Sequence, residues 1–278
     1  VGKEIIVSGW VQNIRDHGGV LFLDLRDTSG VLQTVSNDDS IFKGLAKETV
    51  IRLKGILRKR DEDTINKKIK SGEVELLISE LDVLGESLHE LPFEIMSSKQ
   101  VSEDVRLKYR YLDMRNDKVK DNILLRSEIL HFLRNKMYDL SFTEVQTPIL
   151  TASSPEGARD FVVPSRNFKG KFYALPQAPQ IYKELLMVGG IDKYFQVAPC
   201  FRDEDARSDR TLEFYQLDLE MNFVTEEEVL LLGEEIFHSV FTKYSDKKVS
   251  PKPFRRISYN DSMEMYGTDK PDLRNPLI

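Results

Sequence analysis

The chain has 278 residues, of which 40% are hydrophobic and 31% are charged, and its formal net charge is −6 at pH 7. This is the composition of a globular protein, and no stretch approaches the roughly 20 apolar residues of a membrane-spanning helix. The only cysteine, Cys200, excludes an intrachain disulfide and favours a reducing, cytoplasmic location. The histidines are too scattered to indicate a zinc site.

Residues 1–86 alternate short apolar segments with glycine-bearing turns such as "HGG" (17–19) and "DTSG" (27–30). Five such segments predict a small five-stranded barrel, and residues 41–48 are predicted to form a short helix after its third strand. Residues 52–70 include eight basic and three acidic residues. That stretch is either a solvated charged hairpin or a surface for nucleic acid.

Residues 87–115 are less regular, and we interpret them as a hinge with a short helix. From residue 117 the pattern becomes mixed. An amphipathic helix is predicted within 121–140, and a strand over 142–150, where Pro148 favours a sheet edge. A capping box, Thr225-x-x-Glu228, opens a further helix. The predicted fold class is α+β.

The stretch "FRDEDARSDRTLEFYQLDLE" (201–220) combines dense charge with aromatic residues. Residues 194–205 and 211–221 are predicted to form an antiparallel strand pair joined by the hydrophilic connector 205–210. Strand alternation gives the pair a polar face. That face carries Gln196, Ala198, Cys200, Arg202 and Glu204 on one strand and Phe214, Gln216, Asp218 and Glu220 on the other. An arginine beside a flat ring suits a nucleotide, although a solvated sheet face is the simpler alternative.

These residues resemble a known family. The segment "FRDEDARSDRTLEFYQLDLEM" (201–221) resembles the second signature motif of class II aminoacyl-tRNA synthetases. Two further segments, "PEGARDFVVPSR" (155–166) and "FYALPQAPQIYKELLM" (172–187), are similar to the bacterial aspartyl-tRNA synthetases. "GWVQNIRDHGGVLFLDLRD" (9–27) resembles the anticodon-binding barrel of that family. The resemblance therefore covers most of the chain.

The resemblance implies an OB-fold anticodon-binding domain at 1–88, a hinge at 89–116 and the first part of a class II catalytic domain at 117–278, with an antiparallel sheet flanked by helices. It implies that L-aspartate is activated with ATP and Mg²⁺ to aspartyl-adenylate and transferred to the 3′-terminal adenosine of tRNA(Asp). Whether tRNA(Asn) is also charged stays open. Members of the family are cytoplasmic homodimers. The resemblance implies that residues 126–148 of this chain lie at the dimer interface.

The resemblance also implies roles for individual residues. Arg202 is the expected catalytic residue, because it would bind the α-phosphate and stabilise the charge that develops during attack by the carboxylate. The expected ATP-binding residues are Arg202, Asp203, Glu204, Thr211, Phe214 and Gln216. The expected aspartate-binding residues are Glu156, Gln180, Lys183, Arg202 and Asp218. Lys183 would pair with the side-chain carboxylate of aspartate. No metal ligand is expected in this segment.

In the barrel, six residues match anticodon contacts of the family: Arg15, Phe22, Gln33, Arg58, Arg60 and Glu75. Unstacked bases are commonly read by ring stacking and by hydrogen bonds to their edges. Phe22 also suits a core position of an alternating strand. His17 resembles the residue found in enzymes that charge both tRNA(Asp) and tRNA(Asn).

The third class II motif, a glycine-rich stretch ending in an arginine, does not occur in the chain. We therefore expect a chain truncated before that motif, inactive or impaired by itself. One alternative is a non-catalytic RNA-binding module derived from a synthetase. Another is a synthetase specific for asparagine or lysine. Arg202, Glu156 and Lys183 favour the aspartate ligase, since a binding module needs no amino-acid pocket.

Overall fold

The computed structural model describes residues 1–38, 40–87, 90–154, 156–207 and 209–274. It divides into two units, Val1–Asn116 and Asp117–Ile278. The division coincides with the expected start of the catalytic domain at 117. The expected boundary between 88 and 89 lies outside the described residues, and residues 90–116 belong to the first unit.

The first unit contains a closed barrel of five strands in the order β1-β2-β3-β5-β4. The strands are β1 (Glu4–His17), β2 (Val20–Arg26), β3 (Val31–Ser36), β4 (Val50–Lys59) and β5 (Val74–Gly85). Strands β3 and β5 pair in parallel, and the other neighbours are antiparallel. The predicted five-stranded barrel is confirmed.

Apolar residues that alternate along the strands fill the interior of the barrel. Its core consists of Val11, Leu23, Leu25, Phe42, Ile51, Leu53 and Leu76. At the register shift between Lys54 and Gly55, β4 approaches β5 so closely that a Cβ on Gly55 would lie 2.1 Å from the Leu77 carbonyl oxygen. Only glycine fits this crossing.

The helix predicted over 41–48 is wrong, because residues 40–44 form turns. The Asp38 carboxylate accepts hydrogen bonds from the Ser40 backbone N–H and hydroxyl, and Gly44 adopts a φ of 79°. These local interactions bend the chain, and Phe42 fills the barrel core from a turn.

Residues 90–116 form their own small cluster in the first unit. A 3₁₀ turn (Ile95–Gln100), α1 (Glu103–Lys108) and α2 (Arg110–Asp113) pack around Phe93, Ile95 and Leu112. The fully buried Asp113 carboxylate accepts hydrogen bonds from Ser98, Arg106 and Arg110. The predicted hinge is thus an ordered segment with a buried charge network.

The second unit begins with the long helix α3 (Asp117–Asp139). It continues with β6 (Thr143–Glu144), β7 (Val162–Pro164), β8 (Phe172–Ala174), α4 (Gln180–Val188), β9 (Lys193–Phe201), β10 (Glu213–Met221), α5 (Glu226–Tyr244) and α6 (Tyr259–Tyr266). The capping box at Thr225 and Glu228 is present at the start of α5, as predicted. Strands β7 and β8 form a separate hairpin.

The central sheet of this unit has the order β10-β9-β6. Strands β9 and β10 are antiparallel, as predicted, while β6 pairs with β9 in parallel, so the sheet is mixed. The strand expected over 142–150 is reduced to two residues. Pro148 lacks a backbone donor, and the Thr147 backbone N–H bonds to the Gln196 side chain instead of a neighbouring strand.

The apolar face of the sheet forms the core of the second unit. Phe195 packs with Met137 and Phe142 at one end of α3 and with Ile236 of α5. This packing leaves the other face of β9 and β10 for polar residues. None of the helices in the described ranges is long and apolar enough to span a membrane.

Candidate functional site

A cavity of about 340 Å³ lies against the barrel and is lined by all seven residues that the sequence assigns to tRNA recognition. They are Arg15, His17, Phe22, Gln33, Arg58, Arg60 and Glu75. Residues from β1, β2, β3, β4 and β5 therefore converge on one place, although they lie up to 60 positions apart in the chain.

The buried carboxylate of Glu75 organises this cavity. Gln33 Nε2 donates to it at 2.9 Å and Arg58 Nε at 2.8 Å, while Arg60 Nε lies 4.0 Å away. The Arg60 side chain is only 9% exposed. Its Nε and Nη1 are buried and have no hydrogen-bond partner among the described residues. Buried donors without a partner are costly, so Arg60 is a candidate for contact with a ligand of this cavity.

Two aromatic residues border the same cavity. The rings of His17 and Phe22 meet edge to face, with centroids 5.8 Å apart. Phe22 is half-buried and lines the cavity, and it is not among the residues of the barrel core. Arg15 is held by Asp24 at 2.7 Å. A flat ring beside oriented donors and acceptors can hold an unstacked base.

In the second unit, the register of β9 and β10 brings the predicted polar rows together. Gln196 lies opposite Asp218, Ala198 opposite Gln216 and Cys200 opposite Phe214. The Cys200 thiol contacts Gln216 Oε1 at 3.4 Å. Burial, with the charge of Asp218, raises the pKa of Cys200 to about 11, so this thiol stays protonated.

Helix α4 places a cation on this face. Lys183 Nζ lies 3.0 Å from Asp218 Oδ1 and 3.2 Å from Glu220 Oε2, and the Lys183 side chain is 11% exposed. Burial lowers the pKa of Lys183, but the two carboxylates outweigh burial and hold it above its usual value. Asp218 Oδ2 is buried without a hydrogen-bond partner among the described residues.

Arg202 lies at the end of β9, and its guanidinium carbon is 5.1 Å from the centroid of the Phe214 ring. Both side chains are half-buried. The cation and the ring that the sequence pairs for a nucleotide are therefore neighbours, on the same sheet face as Lys183 and Asp218.

The other predicted aspartate ligands, Glu156 and Gln180, have different immediate surroundings. Glu156 borders a cavity of about 280 Å³ together with Gln177 and Tyr182. Its negative charge adds to the raised pKa of the Cys200 thiol, after burial and the charge of Asp218. Gln180 Nε2 donates to Glu184 on α4 and does not line that cavity.

The connector between the strands forms a charged cleft of about 400 Å³. Asp203 and Glu204 line it together with Arg159 and Arg210. The Asp203 backbone N–H donates to the Arg159 carbonyl oxygen at 3.0 Å, which ties the connector to the loop that carries Glu156. Thr211 is exposed, and its hydroxyl donates to the Glu213 carbonyl oxygen at 2.6 Å.

Within the described ranges, no group of three or more His, Cys, Asp or Glu side chains is arranged to hold a metal ion.

Two family descriptions match the chain. "OB-fold nucleic acid binding domain" matches residues 5–84, and "tRNA synthetases class II (D, K and N)" matches residues 102–278. The chain belongs to the class II tRNA synthetases. The fold expected from the sequence, an OB-fold barrel followed by a class II catalytic domain, is confirmed.

Curated relatives of this class II synthetase cover its whole length. The aspartate–tRNA(Asp/Asn) ligase of Pelagibacter ubique (strain HTCC1062) is 54% identical over 282 residues, which are 100% of this chain and 47% of the relative. The ligase of the same name from Anaplasma marginale (strain Florida) is 55% identical over 287 residues, covering 100% and 48%. The chain spans about half the length of these relatives.

Solved synthetase structures share the fold. The asparaginyl-tRNA synthetase of Pyrococcus horikoshii, complexed with asparaginyl-adenylate, matches with a TM-score of 0.80 and 24% identity over 97% of this chain and 65% of that one. The asparaginyl-tRNA synthetase of Entamoeba histolytica, with the same adenylate, matches with a TM-score of 0.78 and 23% identity, covering 95% and 63%.

Several site residues are not evident from the sequence. Glu220 contacts Lys183. Its role at the site could have been predicted, because it follows Asp218 by two positions on the same strand face. Gln177 bonds to both the backbone N–H and the carbonyl oxygen of Ala158, which fixes the loop of Glu156. The local sequence pattern gives no reason to prefer Gln177 over Gln180 as a site residue.

Proposed function

We propose that this class II synthetase chain is part of an aspartate–tRNA ligase. It activates L-aspartate with ATP, forming aspartyl-adenylate and pyrophosphate, and transfers the aspartyl group to the 3′-terminal adenosine of tRNA(Asp). The curated relatives carry this activity in their names. No feature of the site favours a non-catalytic RNA-binding module.

The buried cation Lys183 is the observation that carries the proposal. The side-chain carboxylate of aspartate needs a cation, whereas the amide of asparagine does not, and an unpaired buried charge is costly. Lys183 is held between Asp218 and Glu220, so it is fully charged and positioned before substrate arrives. In this proposal Asp218, which lies beside Lys183, also contacts the substrate ammonium.

Arg202 and Phe214 serve the nucleotide. The Arg202 guanidinium bonds to the α-phosphate and stabilises its added negative charge while the aspartate carboxylate attacks phosphorus. Phe214 stacks on adenine, with Gln216, Thr211, Asp203 and Glu204 as its further contacts. Glu156 and Gln180 complete the aspartate pocket when their loop and helix meet the ligand. Mg²⁺ enters with the ATP phosphates, and no residue of this chain is assigned to it.

The barrel cavity reads the anticodon. Phe22 stacks on a base, and the free donors of Arg60 with the Gln33–Glu75 pair contact base edges. His17 borders the same cavity, and we propose that it permits charging of tRNA(Asn) as well as tRNA(Asp). Because it is proposed to charge tRNA, the protein is also proposed to act in the cytoplasm.

The complete enzyme is proposed to be a homodimer through residues 126–148 and the neighbouring part of α3. Apolar side chains of this helix are exposed in the single chain, including Ile123, Leu124 and Leu125 at 44%, 51% and 41%. Such a patch is typical of a surface covered by a partner.

Aminoacylation by the complete protein tests this function. With labelled aspartate, transcripts of tRNA(Asp) and tRNA(Asn) should both be charged, and a lysine tRNA should not. Charging of tRNA(Asp) alone would remove the role given to His17. Charging of neither transcript would overturn the proposed function.

A further inference from the structure

A buried charge cluster lies in the first unit, and its residues do not line the barrel cavity. The Glu48 carboxylate accepts hydrogen bonds from Arg26 Nη2 at 2.8 and 2.6 Å and from Arg115 Nη1 at 2.5 Å. The side chains of Arg26 and Glu48 are 4% and 5% exposed, and that of Arg115 is 27% exposed. Arg26 belongs to the barrel, whereas Arg115 belongs to the segment that follows α2.

The indole of Trp10 completes this cluster. Its ring lies 5.9 Å from the Arg26 guanidinium carbon and 4.9 Å from that of Arg115. Two guanidinium groups thus share one carboxylate and one aromatic face, which together offset the excess positive charge. Glu48 accepts hydrogen bonds from both arginines and so joins them through one carboxylate.

Glu48 holds this position in an unfavourable backbone conformation. Its φ is 65°, in the left-handed region that glycine adopts freely and other residues adopt at a cost. Backbone hydrogen bonds on either side fix it, from Glu48 N–H to the Val11 carbonyl oxygen at 2.8 Å and from Val11 N–H to that of Thr49 at 2.9 Å. A glycine would suit this backbone, so the retained side chain indicates a role.

We propose that Glu48 is a positioning residue that clamps residues 110–116 to the barrel. Arg115 lies two positions before Asp117, where the second unit begins. The clamp therefore fixes the segment through which the chain leaves the barrel unit. This inference rests on the proposed function, because its consequence concerns a tRNA that must be bound by the barrel and charged by the second unit.

The consequence is a separation between two activities. Adenylate formation uses no residue of the barrel unit and is independent of the clamp. Charging depends on the clamp, because loosening residues 110–116 weakens productive binding of tRNA. Glu48→Gln keeps the shape of the side chain and removes its charge, and Arg115→Gln breaks the same contact from the more exposed side.

The test compares Glu48→Gln, Arg115→Gln and the double variant in the complete protein, far below each melting temperature. The matched control is Glu94→Gln, because the pair Lys47–Glu94 also joins the barrel to residues 90–116 but is exposed and involves only one cation. Glu48→Gln should raise KM for tRNA about tenfold. Its rate of aspartate-dependent ATP–pyrophosphate exchange should stay within about twofold of the wild-type rate. Glu94→Gln should change neither quantity.

Arg115→Gln should give the same split, and the double variant should be no worse than Glu48→Gln alone. If Glu48→Gln does not fold, Arg115→Gln decides, since Arg26 still pairs Glu48 in it. Equal losses in exchange and charging, an unchanged KM for tRNA, or additive effects in the double variant would overturn the clamp. Absence of exchange in the wild-type protein would instead overturn the proposed function.

Discussion

At the scale of single residues, the proposed specificity for aspartate depends on Lys183. Lys183→Met should raise KM for aspartate at least about a hundredfold in pyrophosphate exchange, because the substrate carboxylate would be buried without a cation. It should also lower the free energy of unfolding by about 3 kcal/mol, since Asp218 and Glu220 lose their buried partner. Lys193→Met, at an exposed position of β9, is the control. An unchanged KM for aspartate would contradict the role of Lys183.

Substitution of Arg60 is predicted to affect tRNA binding but not the stability of the protein. Its Nε and Nη1 are buried without hydrogen-bond partners among the described residues, so Arg60→Met should not lower the free energy of unfolding. It should nevertheless raise KM for tRNA about tenfold or more, because a base edge loses its donors. Urea unfolding and charging kinetics measure the two effects, with the exposed neighbour Lys59→Met as control. Lower stability with unchanged KM would mean that Arg60 is structural.

At the scale of elements, Glu235 joins α5 to α3 and to the segment that follows α5. Hydrogen bonds from Lys136 and Lys252 lower the pKa of Glu235 to about 2. A lowered folded-state pKa stabilises the protein above the unfolded-state pKa of about 4.3, and this stabilisation is lost as the pH falls from there towards 2.

Glu235→Gln should therefore lower the melting temperature at pH 7, and the difference from wild type should shrink as the pH falls below about 4.3. Calorimetry between pH 3 and 7 measures this difference. Glu226→Gln, at an exposed position in the first turn of α5, should show no comparable trend. A difference that is constant with pH would contradict the ion-pair explanation.

The elements also show what the sequence can predict. Period-two alternation gave both rows of the β9–β10 face correctly, and the capping box at Thr225 located the start of α5. The helix expected over 41–48 failed because Asp38 and Gly44 form turns there. The strand over 142–150 failed because Thr147 bonds to a side chain from β9, a contact that no local pattern reports.

At the scale of the whole molecule, the proposed dimer predicts a change of mass. Leu124→Glu places a charge within the exposed apolar patch of α3 and should convert dimers of the complete protein to monomers in light scattering. Glu226→Lys, at an exposed position in the first turn of α5 and outside the proposed interface, is the control. A Leu124→Glu protein that stays dimeric would place the interface elsewhere.

The convergence of the assigned barrel residues on one cavity could be predicted from the strand pattern, whereas the surroundings of Glu156 and Gln180 could not. The roles of both sets of residues stay predictions. All seven assigned barrel residues line one cavity, because six of them lie on strands of the closed barrel and Arg60 directly follows β4. Glu156 lines a different cavity and Gln180 bonds to Glu184 on its own helix, and the loop of Glu156 is fixed by contacts such as those of Gln177. Sequence alternation cannot report these contacts.

The most direct test of the account is amino-acid-dependent ATP–pyrophosphate exchange by the complete protein, with aspartate, asparagine and lysine compared at equal concentration. A buried Lys183 held by two carboxylates predicts exchange with aspartate and little with the other two. Exchange driven by asparagine or lysine, or none with any of the three, would contradict an aspartate-specific site.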